Sequence, residues 1–189
     1  MRLLTLILAL LGWHTADAAE PMGSVYEFEF VSIAGQKLPL SSFQGKVILV
    51  VNTASHCGFT SQYQSLEKLW RTYKDKGLVV LAVPSGNFGG QEFGTNKEIK
   101  EFCDINYGRT FPMTEKSKVR GKGRHPFFAW AENTLGGHAK PRWNFHKYLI
   151  DGNGKLVDWF STPTKPMSKK VRHAIETQLG LLGEPQNSQ

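Results

Sequence analysis

Residues 46–60 read Lys46-Val47-Ile48-Leu49-Val50-Val51-Asn52-Thr53-Ala54-Ser55-His56-Cys57-Gly58-Phe59-Thr60. The first half is continuously apolar and β-branched, the signature of a central strand covered on both faces. A polar connection holding a cysteine follows. Beyond it Leu66, Leu69, Trp70 and Tyr73 recur at helical spacing, and Gly77 supplies a stop. A second buried strand is predicted from Leu78 to Val83, ended by Pro84.

Upstream, Tyr26, Phe28 and Phe30 alternate with Glu27 and Glu29, which predicts a half-buried strand. Gly35 turns the chain into a short extended piece through Leu38 to Leu40. Downstream, a glycine-rich loop from Ser85 to Thr95 leads into a helix carrying Ile99, Phe102, Cys103 and Asn106, closed by Gly108. Phe111-Pro112 opens another extended stretch, and a helix is expected through Phe127 to Trp130. Arg142 to Ile150 reads as a strand, Asp151-Gly152-Asn153-Gly154 as a hairpin turn, and Leu156 to Phe160 as the partner strand. Val171, Ala174, Ile175 and Leu179 mark a last amphipathic helix stopped by Gly180, and Glu184 to Gln189 reads as a frayed tail. There is no internal repeat or low-complexity segment. This order is the layout of an α/β, thioredoxin-like domain, a central mixed sheet flanked by helices.

The 189 residues suit one compact domain, and 40% hydrophobic content with five Trp and twelve Phe excludes a disordered chain. Arg2, an apolar run from Leu3 to Trp13 and Ala16-Asp17-Ala18 have the form of a secretory signal. We therefore expect residues 1–18 to be a signal peptide and 19–189 a single domain, with its core at about 24–180. The apolar run is shorter than the roughly 20 residues that span a bilayer. Stable membrane insertion is not expected of it or of any other segment. Export is expected, to a bacterial periplasm since no Asn-x-Ser/Thr sequon occurs, with secretion as the alternative.

The formal net charge is +7, with a run through Lys116, Lys118, Arg120, Lys122 and Arg124 that reads first as a solvated loop. No nucleic-acid motif accompanies it, so nucleic acid is not an expected partner; a small anionic reductant or an acidic protein fits better. Two cysteines are too few for a disulfide scaffold, although an exported chain could use Cys57 and Cys103 as a staple. The six His show no zinc-type spacing. No metal and no cofactor are expected.

Cys57 lies after a buried strand and ahead of a predicted helix start. Free N–H groups and the helix dipole there favour an anion, which lowers a thiol's pKa and raises its thiolate fraction. Thiolate attacks a peroxide O–O bond and becomes sulfenic acid. The same position also suits a small buried hydrophobe.

The segment Asn52 to Thr60 resembles the active-site segment of glutathione peroxidases. Asn87-Phe88-Gly89-Gly90-Gln91-Glu92 is similar to that family's glutamine loop, and Trp143-Asn144-Phe145 to its tryptophan-asparagine motif. The likeness runs in order over nearly all of Ser24 to Gly180. It implies a peroxidase in which Cys57 is the peroxidatic residue and Gln91, Trp143 and Asn144 surround it. Amide and indole N–H groups are neutral donors that can hold a thiolate or a leaving oxygen; without the resemblance they read as turn and packing residues. His56 carries no role in the family and is read as exposed. The family commonly has Cys-Asn-Gln-Phe where this chain has Ser85-Gly86-Asn87-Phe88, and Pro in place of Phe93.

Cys103 matches the place where thioredoxin-dependent members carry a resolving cysteine; its spacing from Ile99 and Phe102 equally suits core packing. The resemblance implies peroxide as substrate and glutathione or a thioredoxin-like protein as reductant. The short stretch from Phe111 to Trp143, beside the tetrameric animal enzymes, implies a monomer or weak dimer. Two rivals are a thiol–disulfide oxidoreductase, which would want a second Cys at Thr60, and a redox sensor on the same fold.

Overall fold

The computed structural model describes residues 23–182. The expected signal peptide and the expected tail from Glu184 lie outside the described residues. Among the described residues six strands and four α-helices follow one another: β1 (Glu29–Val31), β2 (Lys37–Pro39), β3 (Val47–Thr53), α1 (Gln62–Tyr73), β4 (Leu78–Pro84), α2 (Asn96–Tyr107), α3 (Pro126–Leu135), β5 (Lys147–Ile150), β6 (Leu156–Phe160) and α4 (Lys169–Gln178). The main sheet has the order β4-β3-β5-β6, while β1 and β2 form a separate hairpin. β3 pairs in parallel with β4 from Val47↔Leu78 to Thr53↔Pro84, and antiparallel with β5. That mixture is the sheet expected of a thioredoxin-like domain.

Burial explains the unbroken apolar run. Val47, Leu49 and Val51 face a core with Leu66 and Leu69 of α1, Ile99 of α2 and Val171 and Ile175 of α4. Ile48 and Val50 face the opposite core with Phe127, Phe128 and Trp130 of α3. Alternate residues point to opposite faces, so a strand with helices on both sides must be apolar at every position. The free edge of β4 is covered by residues 112–114: Ala82 N–H donates to Pro112 O (3.0 Å) and Thr114 N–H to Ala82 O (2.9 Å).

Local signals bound the helices. Thr95 and Glu98 form a capping box at the start of α2, and Gly108 ends it in the left-handed region at φ 56°. Pro126 opens α3, where its missing N–H costs nothing.

Two expected strands are shorter than the patterns suggested. Ser24 and Glu27 build a capping box of their own and wind Val25–Glu27 into a 3₁₀ turn, so β1 begins only at Glu29. At the other end, β5 begins at Lys147 rather than Arg142. Residues 143–146 leave regular pairing because Phe145 takes a left-handed φ of 60°.

Candidate active site

The carboxyl ends of β3 and β4 lie side by side, and the two loops that leave them bring the motifs together. The first loop carries Cys57, which is buried, and His56, which is exposed. α1 starts at Gln62, and successive turns, Thr60 N–H to Cys57 O and Tyr63 N–H to Thr60 O (both 3.0 Å), lead into it. Cys57 thus sits in a turn ahead of the helix and not in its first residues. Among the described residues no main-chain carbonyl accepts from the N–H of Cys57, Gly58 or Phe59, so these donors are free for an anion at that turn.

The second loop reaches Gln91 through Gly89 (φ 66°) and Gly90 (φ 64°), a consecutive left-handed pair that side chains resist. Its departure from the family pattern at residues 85–88 is accommodated. Asn87 Oδ1 accepts from Val119 N–H (2.6 Å), pinning the loop to the basic segment. The two loops are bonded to each other: His56 N–H donates to Gln91 O (2.9 Å), and Ser55 N–H to Glu92 Oε1 (3.2 Å).

The third motif arrives through Asn52, the penultimate residue of β3. Its Nδ2 donates to Trp143 O (3.1 Å) and its Oδ1 accepts from His146 N–H (3.1 Å). Asn144, fully buried, then donates from Nδ2 to Gln91 Oε1 at 3.0 Å. Trp143 is 39% exposed and its ring packs 5.7 Å from that of Phe88. Gln91, Trp143 and Asn144 are therefore brought to the loop pair that carries Cys57. A cleft of about 380 Å³ opens beside Trp143, lined among others by Lys140, Arg142, His146, Trp159 and Pro163. His146 stacks on Trp159 (5.2 Å, 8°), and burial holds its imidazole down at about 4, so it is neutral at ordinary pH.

Cys103 is on α2 with no exposure, in the same apolar core as Cys57. Burial, the largest effect, pushes its thiol up to about 12. Both cysteines are free.

Four residues that hold the site went unassigned in the sequence reading. Asn52 and Glu92 were seen only as members of motifs. Lys147 and Gln62 were not singled out. The Lys147 ammonium is fully buried and donates to Gln62 Oε1 (2.7 Å) and Thr164 O (2.6 Å). Thr162 in turn donates to Asn144 O (2.7 Å). The only signal for Lys147 was a charge inside an otherwise apolar strand.

The family model described as Glutathione peroxidase matches residues 25–132. The chain is 47% identical over 156 residues to a glutathione peroxidase of Lactococcus lactis, covering 79% of this chain and 98% of that protein. It is 42% identical to a hydroperoxy fatty acid reductase of Synechocystis, covering 78% and 92%. A crystal structure of Trgpx in apo form superposes with a TM-score of 0.68 at 32% identity, over 84% of this chain and 96% of that one. Sequence and fold agree along most of both partners, and the chain belongs to the glutathione peroxidase family, as a peroxidase that draws its electrons from a thiol.

Proposed function

We propose that Cys57 is the peroxidatic residue, assisted by Gln91, Trp143 and Asn144, and that Cys103 resolves the oxidised form. The observation that carries this reading is the bonded convergence of three distant segments, His56 to Gln91 and Gln91 to Asn144, on the buried turn of Cys57. The Cys57 thiolate attacks the O–O bond, takes one oxygen as sulfenic acid and releases an alcohol or water. Cys103 condenses with that sulfenic acid to form a disulfide and water. An external thiol, a thioredoxin-like protein or glutathione, then reduces the disulfide through a mixed disulfide. Neither step needs a metal or a bound cofactor.

The two sulfurs can join only when their Cα atoms come within about 7 Å, and on this reading a local opening of α2 brings Cys103 to Cys57. Thr60 stands where a Cys-x-x-Cys motif would place its second cysteine, which disfavours a thiol–disulfide oxidoreductase. The protein acts, on this reading, as an exported monomer or weak dimer in a bacterial periplasm, after loss of residues 1–18.

Peroxide consumption measured side by side with glutathione and with a thioredoxin system tests the cycle. Cys57→Ser abolishes turnover with both. Cys103→Ser loses the thioredoxin-supported activity and keeps a slow glutathione-supported one, because glutathione can attack Cys57 from outside. Mass spectrometry after one equivalent of peroxide finds a Cys57–Cys103 disulfide in the unaltered protein. A persistent sulfenic acid on Cys57 with Cys103 still free would leave Cys103 a packing residue.

A further inference from the structure

Five polar side chains share the interior behind the Cys57 turn: Thr53 at the end of β3, Ser55 in the following loop, Tyr63 on α1, Glu92 in the second loop and Cys103 on α2. All are buried, with Thr53, Tyr63 and Cys103 fully enclosed. Glu92 Oε1 is taken by the N–H groups of Ser55 (3.2 Å) and Phe93 (2.9 Å). Its Oε2 has no partner, nor have the hydroxyls of Thr53, Ser55 and Tyr63. The Ser55 hydroxyl lies beside the Glu92 carboxyl. The Tyr63 hydroxyl lies beside both the Thr53 hydroxyl and the Cys103 thiol, without a well-formed hydrogen bond to either. A charge on Glu92 is felt at both Tyr63 and Cys103.

Such a concentration of unpaired buried groups is unusual in a folded protein, and one accepted reason for it is a catalytic role. Among the described residues Glu92 makes no salt bridge; the basic side chain that acts on it is His56, from the Cys57 loop. The groups facing Cys103 are Tyr63 from α1, Glu92 from the loop, and Arg109 and Asp104 from the end of its own helix.

We propose that Glu92 is the base that receives the Cys103 proton, by way of this buried polar cluster, when Cys103 attacks the sulfenic acid of Cys57. The proposal rests on the reading of Cys103 as the resolving thiol. In the step the Cys103 S–H bond breaks and the S–S bond forms as the S–O bond of Cys57 breaks. The proton held by Glu92 passes to the departing hydroxide, which leaves as water, and the carboxylate is restored. The peroxide already consumed is the only oxidant. A thiol raised as far as Cys103 presents almost no thiolate at neutral pH, so the step needs a base. Burial also raises the pKa of Glu92, making it a stronger proton acceptor than a solvated carboxylate.

Glu92→Gln retains an acceptor for the two N–H groups and removes the base, while Tyr63→Phe removes the hydroxyl next to Cys103. The full chain is mixed with one equivalent of hydrogen peroxide, quenched with an alkylating agent and followed by mass spectrometry from mildly acidic to alkaline pH. Disulfide formation in Glu92→Gln is expected to slow roughly 10²-fold near neutrality, the usual scale for a lost general base. The deficit should shrink as rising pH supplies hydroxide. The preceding oxidation of Cys57 should fall far less than the resolving step. Tyr63→Phe should show the same selective loss in smaller degree, and carries the test if Glu92→Gln does not fold. Disulfide formed by the variants at the unaltered rate with the unaltered pH profile overturns the role of Glu92 and leaves Cys103 as the resolving thiol. An unaltered protein that accumulates sulfenic acid and never forms the disulfide overturns both.

Discussion

The side-chain amide of Asn144 donates to the side-chain carbonyl of Gln91 at 3.0 Å, closing a loop of 53 residues between two motifs of the site. Because the bond uses Gln91 Oε1, the amide nitrogen of Gln91 is not taken up by the pair. On the proposed reading Gln91 donates to a developing negative charge, and Asn144 orients it.

Gln91→Ala and Trp143→Phe should each slow the oxidation of Cys57 without removing it. Loss of one donor that faces developing charge typically costs about 10²–10³ in rate. Asn144→Ala should lose a similar factor, and the Gln91→Ala/Asn144→Ala pair should lose less than the product, since the two act through one bond. Stopped-flow oxidation rates check this; rates equal to the unaltered protein for the single variants would remove these residues from the site.

Asn52 is almost fully buried and its amide bonds both Trp143 and His146. Asn52→Ala leaves the part-buried Trp143 carbonyl and the buried His146 N–H unpaired, a loss of about 1–3 kcal/mol for a fully buried group. Lowered urea midpoints, accompanied by slower Cys57 oxidation because Trp143 is no longer held, are the expected result. A variant of reduced stability with undiminished oxidation would separate the clamp from the chemistry.

Lys147 is buried among neutral acceptors, and this desolvation pushes its ammonium down to about 7. An unfolded lysine titrates at about 10.4. Between the two values the unfolded chain holds a proton that the folded chain has lost, so stability rises with pH across that window. The full cost of burying the charge is felt below it. Urea unfolding at neutral and alkaline pH should therefore show the stability of the unaltered protein rising toward alkaline pH relative to that of Lys147→Met. Parallel pH profiles would contradict the assignment.

The carboxyl end of α2 is fastened by Arg109, which pairs with Asp104 (2.6 Å) and donates to Phe111 O (2.5 Å). If α2 opens to deliver Cys103, this fastening opposes it. Arg109→Ala should speed disulfide formation after one equivalent of peroxide while lowering thermal stability. A slower disulfide step would place the opening elsewhere on the helix.

Mature protein from its native host should begin at or near Ala19, because Ala16-Asp17-Ala18 fits a cleavage site. Amino-terminal sequencing of the soluble pool checks this, and recovery of Met1 or Arg2 would count against export by this signal.

Much of the framework was legible in the residues themselves. β3 and β4 follow from apolar runs that only a strand covered on both faces would carry, and α2 from Thr95, Glu98 and Gly108 at its ends. Cys57, Gln91, Trp143 and Asn144 were named because their segments resemble the motifs of glutathione peroxidases; by residue type alone they suit turn and packing roles equally well. What tertiary structure alone decided is how these pieces are held. The strand pattern of residues 142–146 gave way because Asn52, 91 positions away, bonds Trp143 and the backbone turns at Phe145. Lys147 alternates like any strand residue, and nothing in its neighbours announces the carbonyls of residues 162 and 164 that receive its ammonium. Glu92 reads as one more loop carboxylate until folding buries it within electrostatic reach of Tyr63 and Cys103. Periodicity and caps report which face of an element is buried and where it ends; a hydrogen bond between distant side chains has no period, and arises only when the packed sheet and helices bring its partners together.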